Sequence, residues 1–173
     1  MKPRFEYTTF TASEAERISS VNGENQRNLR RHGYLAPIAG GKAKFGLEDI
    51  ARLVVIGFLS ERGFPPAIST TIANFCAAMV AAHALDLEDA VGDKDARKAL
   101  IEKLAPDGLH RFAVVTGPSP NKMQFGNNAK KIVYAASELG GAIMLDLRFY
   151  GSRIVDGAKR PLVTFLAKER DVA

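Results

Sequence analysis

The sequence predicts an α+β fold: an N-terminal pair of short helices followed by a small hairpin, a central helical segment, and a small C-terminal α/β module. Three observations predict it. Apolar residues recur at helical spacing through the first half of the chain. Breaks rich in Gly, Asn and Pro cut that half into short pieces. After about residue 106 the period changes to short apolar runs such as Arg111-Phe-Ala-Val-Val-Thr116. A length of 173 residues suits one ordinary domain or two small ones. With 46% apolar and 25% charged residues, the composition excludes a wholly disordered chain and a collagen-like one.

Thr11-Ala-Ser-Glu14 has the form of a capping box, with a hydroxyl at the cap and a glutamate three residues on. It predicts a helix to about Ser19 or Ser20, with Ala15 and Ile18 facing inward. Val21-Asn22-Gly23 breaks that helix, and a second, about Glu24 to His32, stops at Gly33, which suits a C′ position. Two short helices joined by a three-residue turn form a helix-turn-helix signature. The stretch 34–45 carries two apolar arms around Gly40-Gly41 and reads as a small β-hairpin, or wing. Further helices are expected over about Leu47–Arg62 and Ala67–Leu85, and residues 86–105 form a charged helical connector. The last third reads as strand 111–116, return strand 122–125, helix 128–139, strand 142–147, a short helix 149–155 and strand 162–166. Three segments follow: 1–66 with the winged helix-turn-helix, 67–105 as helical connector, and 106–173 as the α/β module.

Charge is uneven along the chain. The formal total is +5. Residues 1–66 hold 10 basic against 7 acidic side chains, 67–105 hold 4 against 6, and 106–173 hold 10 against 6. From Asn25 to Leu47 there are Arg27, Arg30, Arg31, Lys42 and Lys44 and no carboxylate. A one-sign surface of this kind attracts polyanions.

Ser13-Glu-Ala, Arg17, Val21, Arg27, Gly33 and Leu35 fall at a recognisable spacing, continued by Lys44-Phe45-Gly-Leu-Glu-Asp49-Ile50, Leu53, Leu59 and Gly63. Residues 8–66 resemble the MerR-type winged helix-turn-helix family in this respect. Gln26 departs from the pattern, standing where that family usually has an apolar residue, and Asn28-Leu29-Arg30 replaces its usual aromatic pair and glutamate. The resemblance implies double-stranded DNA as ligand and transcriptional regulation as role.

The residues of the second helix point the same way. At 100° per residue, with Leu29 facing the core, Arg27 and Arg31 point outward beside Glu24. Asn28 and Arg30 lie on the flanks, and Gln26, Asn25 and His32 lean toward the packed side. An arginine fork grips guanine O6 and N7, or a phosphate, with two hydrogen bonds. Asn22, Asn28 and Tyr34 complete the expected contacts on this face, with Lys42 and Lys44 approaching phosphates from the hairpin.

On helix 67–85, Ile68, Ile72, Phe75, Met79 and Val80 form an apolar stripe too broad for a 60-residue winged domain to cover. The expectation is a homodimer joined along this stripe and reading an inverted-repeat operator. Cys76 lies on the same stripe, with His83 seven residues on; one thiolate and one imidazole are too few for a closed zinc site, and a buried structural cysteine is expected. No metal or cofactor is expected.

Gly117-Pro-Ser-Pro-Asn-Lys122 lacks the amide donors and second glycine of a phosphate loop, and no nucleophile elbow or paired-histidine motif occurs. No enzymatic role is expected. The N-terminus lacks the apolar core of a secretory signal, residues 63–85 are read as too polar for a membrane span, and the lone cysteine fits a reducing cytoplasm. The C-terminal module is expected to bind an effector or a protein partner, or to strengthen the dimer. Two rival readings are a phage-type DNA-packaging or recombination accessory protein with the same winged fold, and a small-molecule-binding module whose basic helix is incidental.

Overall fold

A computed structural model of the chain describes residues 4–38, 44–116, 123–137 and 142–166. Helix and sheet are mixed. The order is β1 (Arg4–Tyr7), α1 (Ala12–Ser19), α2 (Gly23–Arg31), α3 (Leu47–Ser60), α4 (Pro66–Leu85), a single 3-10 turn at Glu88–Ala90, α5 (Lys94–Leu104), β2 (Phe112–Thr116), β3 (Met123–Gly126), α6 (Ala129–Ser137), β4 (Ala142–Asp146), α7 (Leu147–Ala158) and β5 (Val163–Leu166).

Local chemistry sets most boundaries. The Thr11 hydroxyl accepts from the Glu14 amide while the Glu14 carboxylate accepts from the Thr11 amide, so the capping box is closed at the start of α1. Asn22 caps α2 through its side-chain oxygen, which accepts from the Asn25 amide at 2.8 Å. Gly33 then takes the left-handed conformation, at φ 74°, that ends the helix. Pro66 opens α4 at a first-turn position, where its missing N–H costs nothing.

The two halves of the chain are stitched together. β1 pairs antiparallel with β5, Phe5 opposite Phe165 and Tyr7 opposite Val163, an N-terminal strand that the sequence reading missed. β2 lies at the centre of a second antiparallel sheet, between β3 and β4, with Val115 opposite both Met123 and Ile143. Arg17 donates to the Gly157 carbonyl, Arg153 to the Ile18 carbonyl, and Arg160 pairs with Glu14, so α1 is latched to α7 and the chain that follows it. One apolar core runs from Phe10 and Ile18 through Leu53 and Ile72 to Leu145, Ile154 and Val163. The three segments expected from the sequence therefore share a single core.

α4 is the centre of that core, packed on α3, α5 and α7. This corrects two expectations. The most apolar 18 residues of helix Pro66–Leu85 have a mean hydropathy of 1.5, so the helix is long and apolar enough by composition to cross a membrane, despite its Thr, Asn and His residues; 67% of that stretch is buried inside the fold. The stripe expected at a dimer seam is mostly covered within the chain. Ile72 and Val80 are fully buried, Ile68 and Met79 are half-buried against the same core, and only Phe75 stands out, at 50% exposure. The reason is the return of the C-terminal third: α7 packs along α4, and Met123 of β3 lies 3.7 Å from the Cys76 sulfur.

The expected hairpin over 34–45 falls partly outside the described residues, which omit 39–43 and with them Lys42. Its described flanks form no strand. Phe45 instead makes a reciprocal backbone pair with Phe10, both N–H···O distances being 2.9 Å.

Candidate nucleic-acid interface

The three-residue turn between α1 and α2 is held from inside. Gln26 is 1% exposed, and its Nε2 donates to the Ala12 carbonyl at 3.0 Å and the Val21 carbonyl at 2.8 Å. One amide thus ties the start of α1, the turn and α2 together, which explains a polar residue at an inward position. Its Oε1 has no partner. Behind the turn, Gly57 of α3 meets the end of α1 so closely that a Cβ there would collide with the Ser19 carbonyl oxygen. Leu29 and Val21 are buried beneath α2.

With that side sealed, the faces of α2 are decided. Arg27 and Arg31 are exposed, as is Glu24. Among the described residues neither arginine has a carboxylate partner. Both stand at the outward position that the spacing predicts. Asn28 is half-buried, and its backbone carbonyl faces the His32 Nδ1 at 2.8 Å. Asn25 and His32 are exposed rather than turned inward, because this flank of α2 is open.

The opposite flank is closed by Arg30. Its guanidinium lies 4.4 Å over the Phe45 ring. Desolvation there lowers the Arg30 pKa from its ordinary value, with the Asp49 carboxylate acting against the shift. The Arg30 Nε is buried without a partner. A cation held this way is part of the packing that anchors the residues before α3, so Arg30 differs from Arg27 and Arg31 in what it can offer a ligand. Asn22 is likewise committed, its side-chain oxygen being the α2 cap. Lys44 is exposed next to the Phe10–Phe45 pair, and Tyr34 is half-buried with its ring 6.1 Å from the His32 ring.

Three other arginines are committed within the fold. Arg52 pairs with Glu48 and Asp49, and Arg111 with Asp146 at 2.8 Å. Arg62 lies over the Phe58 ring at 3.4 Å. The partners of Arg52 and Arg62 lie within one helical turn and so at a spacing the sequence shows, whereas the carboxylate that takes up Arg111 lies 35 residues away in the chain.

The open flank borders a cleft of about 780 Å³. Asn25, Asn28, Arg31 and His32 form its α2 side, and Ser60, Glu61 and the run Phe64–Ala67 its far side. Val21, Leu29, Ile56 and Gly57 make the floor. No sequence signal marks it, since its walls are 30 to 40 residues apart in the chain.

Cys76 is buried, and desolvation pushes its thiol up to about 12. The His83 ring nitrogen Nε2 sits 3.0 Å from the His110 carbonyl, and burial lowers its pKa. Among the described residues no three His, Cys, Asp or Glu side chains come together in a way that could hold a metal ion. The chain matches no family model, and it matches no curated protein.

Proposed function

We propose that this chain is a sequence-specific double-stranded DNA-binding protein, a MerR-like cytoplasmic transcriptional regulator whose α1–turn–α2 unit is a winged helix-turn-helix. α2 enters the major groove, and the 34–45 segment approaches flanking phosphates with Lys42 and Lys44. The observation that carries this reading is the pair Arg27 and Arg31. Both are exposed on the outward face of the second helix and, among the described residues, outside any ion pair, above a turn locked by Gln26. A guanidinium left unpaired on a rigid helix is pre-organised for a guanine edge or a phosphate. Asn28, on the flank, is the adjacent base-reading side chain.

A two-fold homodimer on an inverted-repeat operator belongs to the same proposal. Its seam cannot be the buried stripe of α4; Phe75 is the stripe residue left to supply it.

Affinity for duplex DNA should fall with a log–log salt slope of roughly −3.5 per subunit, given Arg27, Arg31 and the two lysines but not the committed Arg30. A slope near zero overturns the reading. Mapping bound sites across the genome separates a regulator, found at promoters, from an accessory protein of a packaging or recombination machine.

A further inference from the structure

The cleft beside α2 has a size and chemistry of its own. Its volume of about 780 Å³ falls within the roughly 300–1,000 Å³ typical of small-molecule sites. The floor residues Val21, Leu29 and Ile56 are apolar and buried. Phe64, Pro65 and Pro66 give a stiff apolar wall opposite. Polar groups gather on the α2 rim, where Arg31 is a cation with no carboxylate partner among the described residues. Glu61 on the facing rim is also outside any ion pair among the described residues, so a second negative charge on a ligand would be repelled there.

We propose that this cleft binds a small organic monocarboxylate with a flat or branched apolar body, and that the ligand competes with DNA for α2. The carboxylate is held by the Arg31 fork, and the body covers the Leu29–Ile56–Phe64 surface. Inorganic phosphate would leave the apolar floor unfilled, and a neutral hydrocarbon would leave Arg31 unused. Competition follows from shared residues: Arg31 lines the cleft and stands on the outward face of α2, and Asn28 lines the cleft from the flank beside it. A carboxylate on Arg31 removes one cationic contact from the duplex, and by linkage the duplex weakens the carboxylate equally. The competition rests on the DNA-binding reading; the binding site does not.

The test uses the full chain, isotope-labelled for amide resonances, with benzoate and isovalerate as probes and benzamide as the uncharged match. Both carboxylates should shift the amides of Asn25, His32, Gly57 and Ala67 saturably, with benzamide about tenfold weaker or more. Arg31→Gln should raise the benzoate Kd about tenfold. Ala67→Trp, on the exposed wall, should block the probes and leave duplex binding as in the parent. The site is overturned if neither carboxylate gives saturable shifts at millimolar concentration, or if the shifts persist unchanged in Ala67→Trp. Excess benzoate should weaken duplex binding by the parent and not by Ala67→Trp; duplex affinity indifferent to benzoate overturns the competition alone. A protein that takes up benzoate in the cleft but binds no duplex sinks the DNA reading and keeps the site.

Discussion

α2 and α4 carry opposite kinds of stripe, and the fold treats them differently. α2 shows Arg27 and Arg31 at outward positions, and both stay exposed. α4 shows Ile68, Ile72, Phe75, Met79 and Val80 on one face, and all but Phe75 are drawn into the chain's own core. The difference teaches that the two periodicities carry unequal information. Burying a charge without a partner is so costly that a run of arginines with no nearby carboxylate must face solvent, or a stacking ring as Arg30 does. An apolar stripe states only that something covers it. Whether the cover is a second subunit or a later part of the same chain depends on where residues 106–166 return, and helical spacing holds no record of that.

The largest effect should come from a charge in the covered stripe. Val80→Asp should unfold the chain, at a cost of about 3–5 kcal/mol, as read by denaturant titration. A folded monomer with altered DNA binding would mean that the stripe is intermolecular after all, and the contrast between α2 and α4 would disappear. Next comes the polar residue beneath α2. Gln26→Ala leaves the Ala12 and Val21 carbonyls without their donor and should lower stability by about 2 kcal/mol. The same variant should loosen the turn, visible as faster hydrogen exchange across residues 20–26 than in the rest of the fold.

The two kinds of arginine on α2 sharpen the comparison further. Arg30→Ala should cost about 1 kcal/mol through lost stacking on Phe45, whereas Arg27→Ala should leave thermal stability within about 0.5 kcal/mol of the parent. Duplex binding should show the reverse order, Arg27→Ala being the more damaging. Equal stability losses would mean that Arg30 is as free as Arg27. The smallest effect is the acid dependence of the α1 latch. The hydrogen bond from Arg160, aided by the Thr11 amide, lowers the Glu14 pKa from 4.5 to about 2. A carboxylate whose folded pKa is depressed stabilises the fold above its unfolded pKa, and that contribution is lost as pH falls from about 4.5 toward 2. Glu14→Gln should therefore be less stable than the parent at neutral pH, with the gap closing in acid. A gap independent of pH would show that the ion pair with Arg160 contributes nothing.

Much of the N-terminal architecture was legible because its signals are local. Thr11, Glu14 and Gly33 define ends of α1 and α2 through contacts within four residues, and such contacts recur wherever the spacing does; Asn22, expected in the turn as a DNA contact, is instead the cap of α2. The elements of the C-terminal third were legible for a related reason, since each apolar run has the length and flanking turn residues of its type. β1 was missed because Arg4-Phe-Glu-Tyr7 is a four-residue edge whose partner, β5, lies about 160 residues away. Helical geometry alone leans Asn25 and His32 inward, whereas the open flank of α2 leaves them in solvent.

By itself, then, the sequence determined the ends of α1 and α2 to within a residue or two, the outward arginines of α2 and the mixed α+β character of the chain. These follow from backbone capping, helical pitch and the cost of desolvating charge, all of which act over a few residues. Only the tertiary structure decided that α4 is a core helix, that Arg30 stacks on Phe45 while Arg31 stays free, and that a cleft opens beside α2. Each of those depends on which distant surface arrives first to exclude water. Apolar burial is non-directional and does not name its partner.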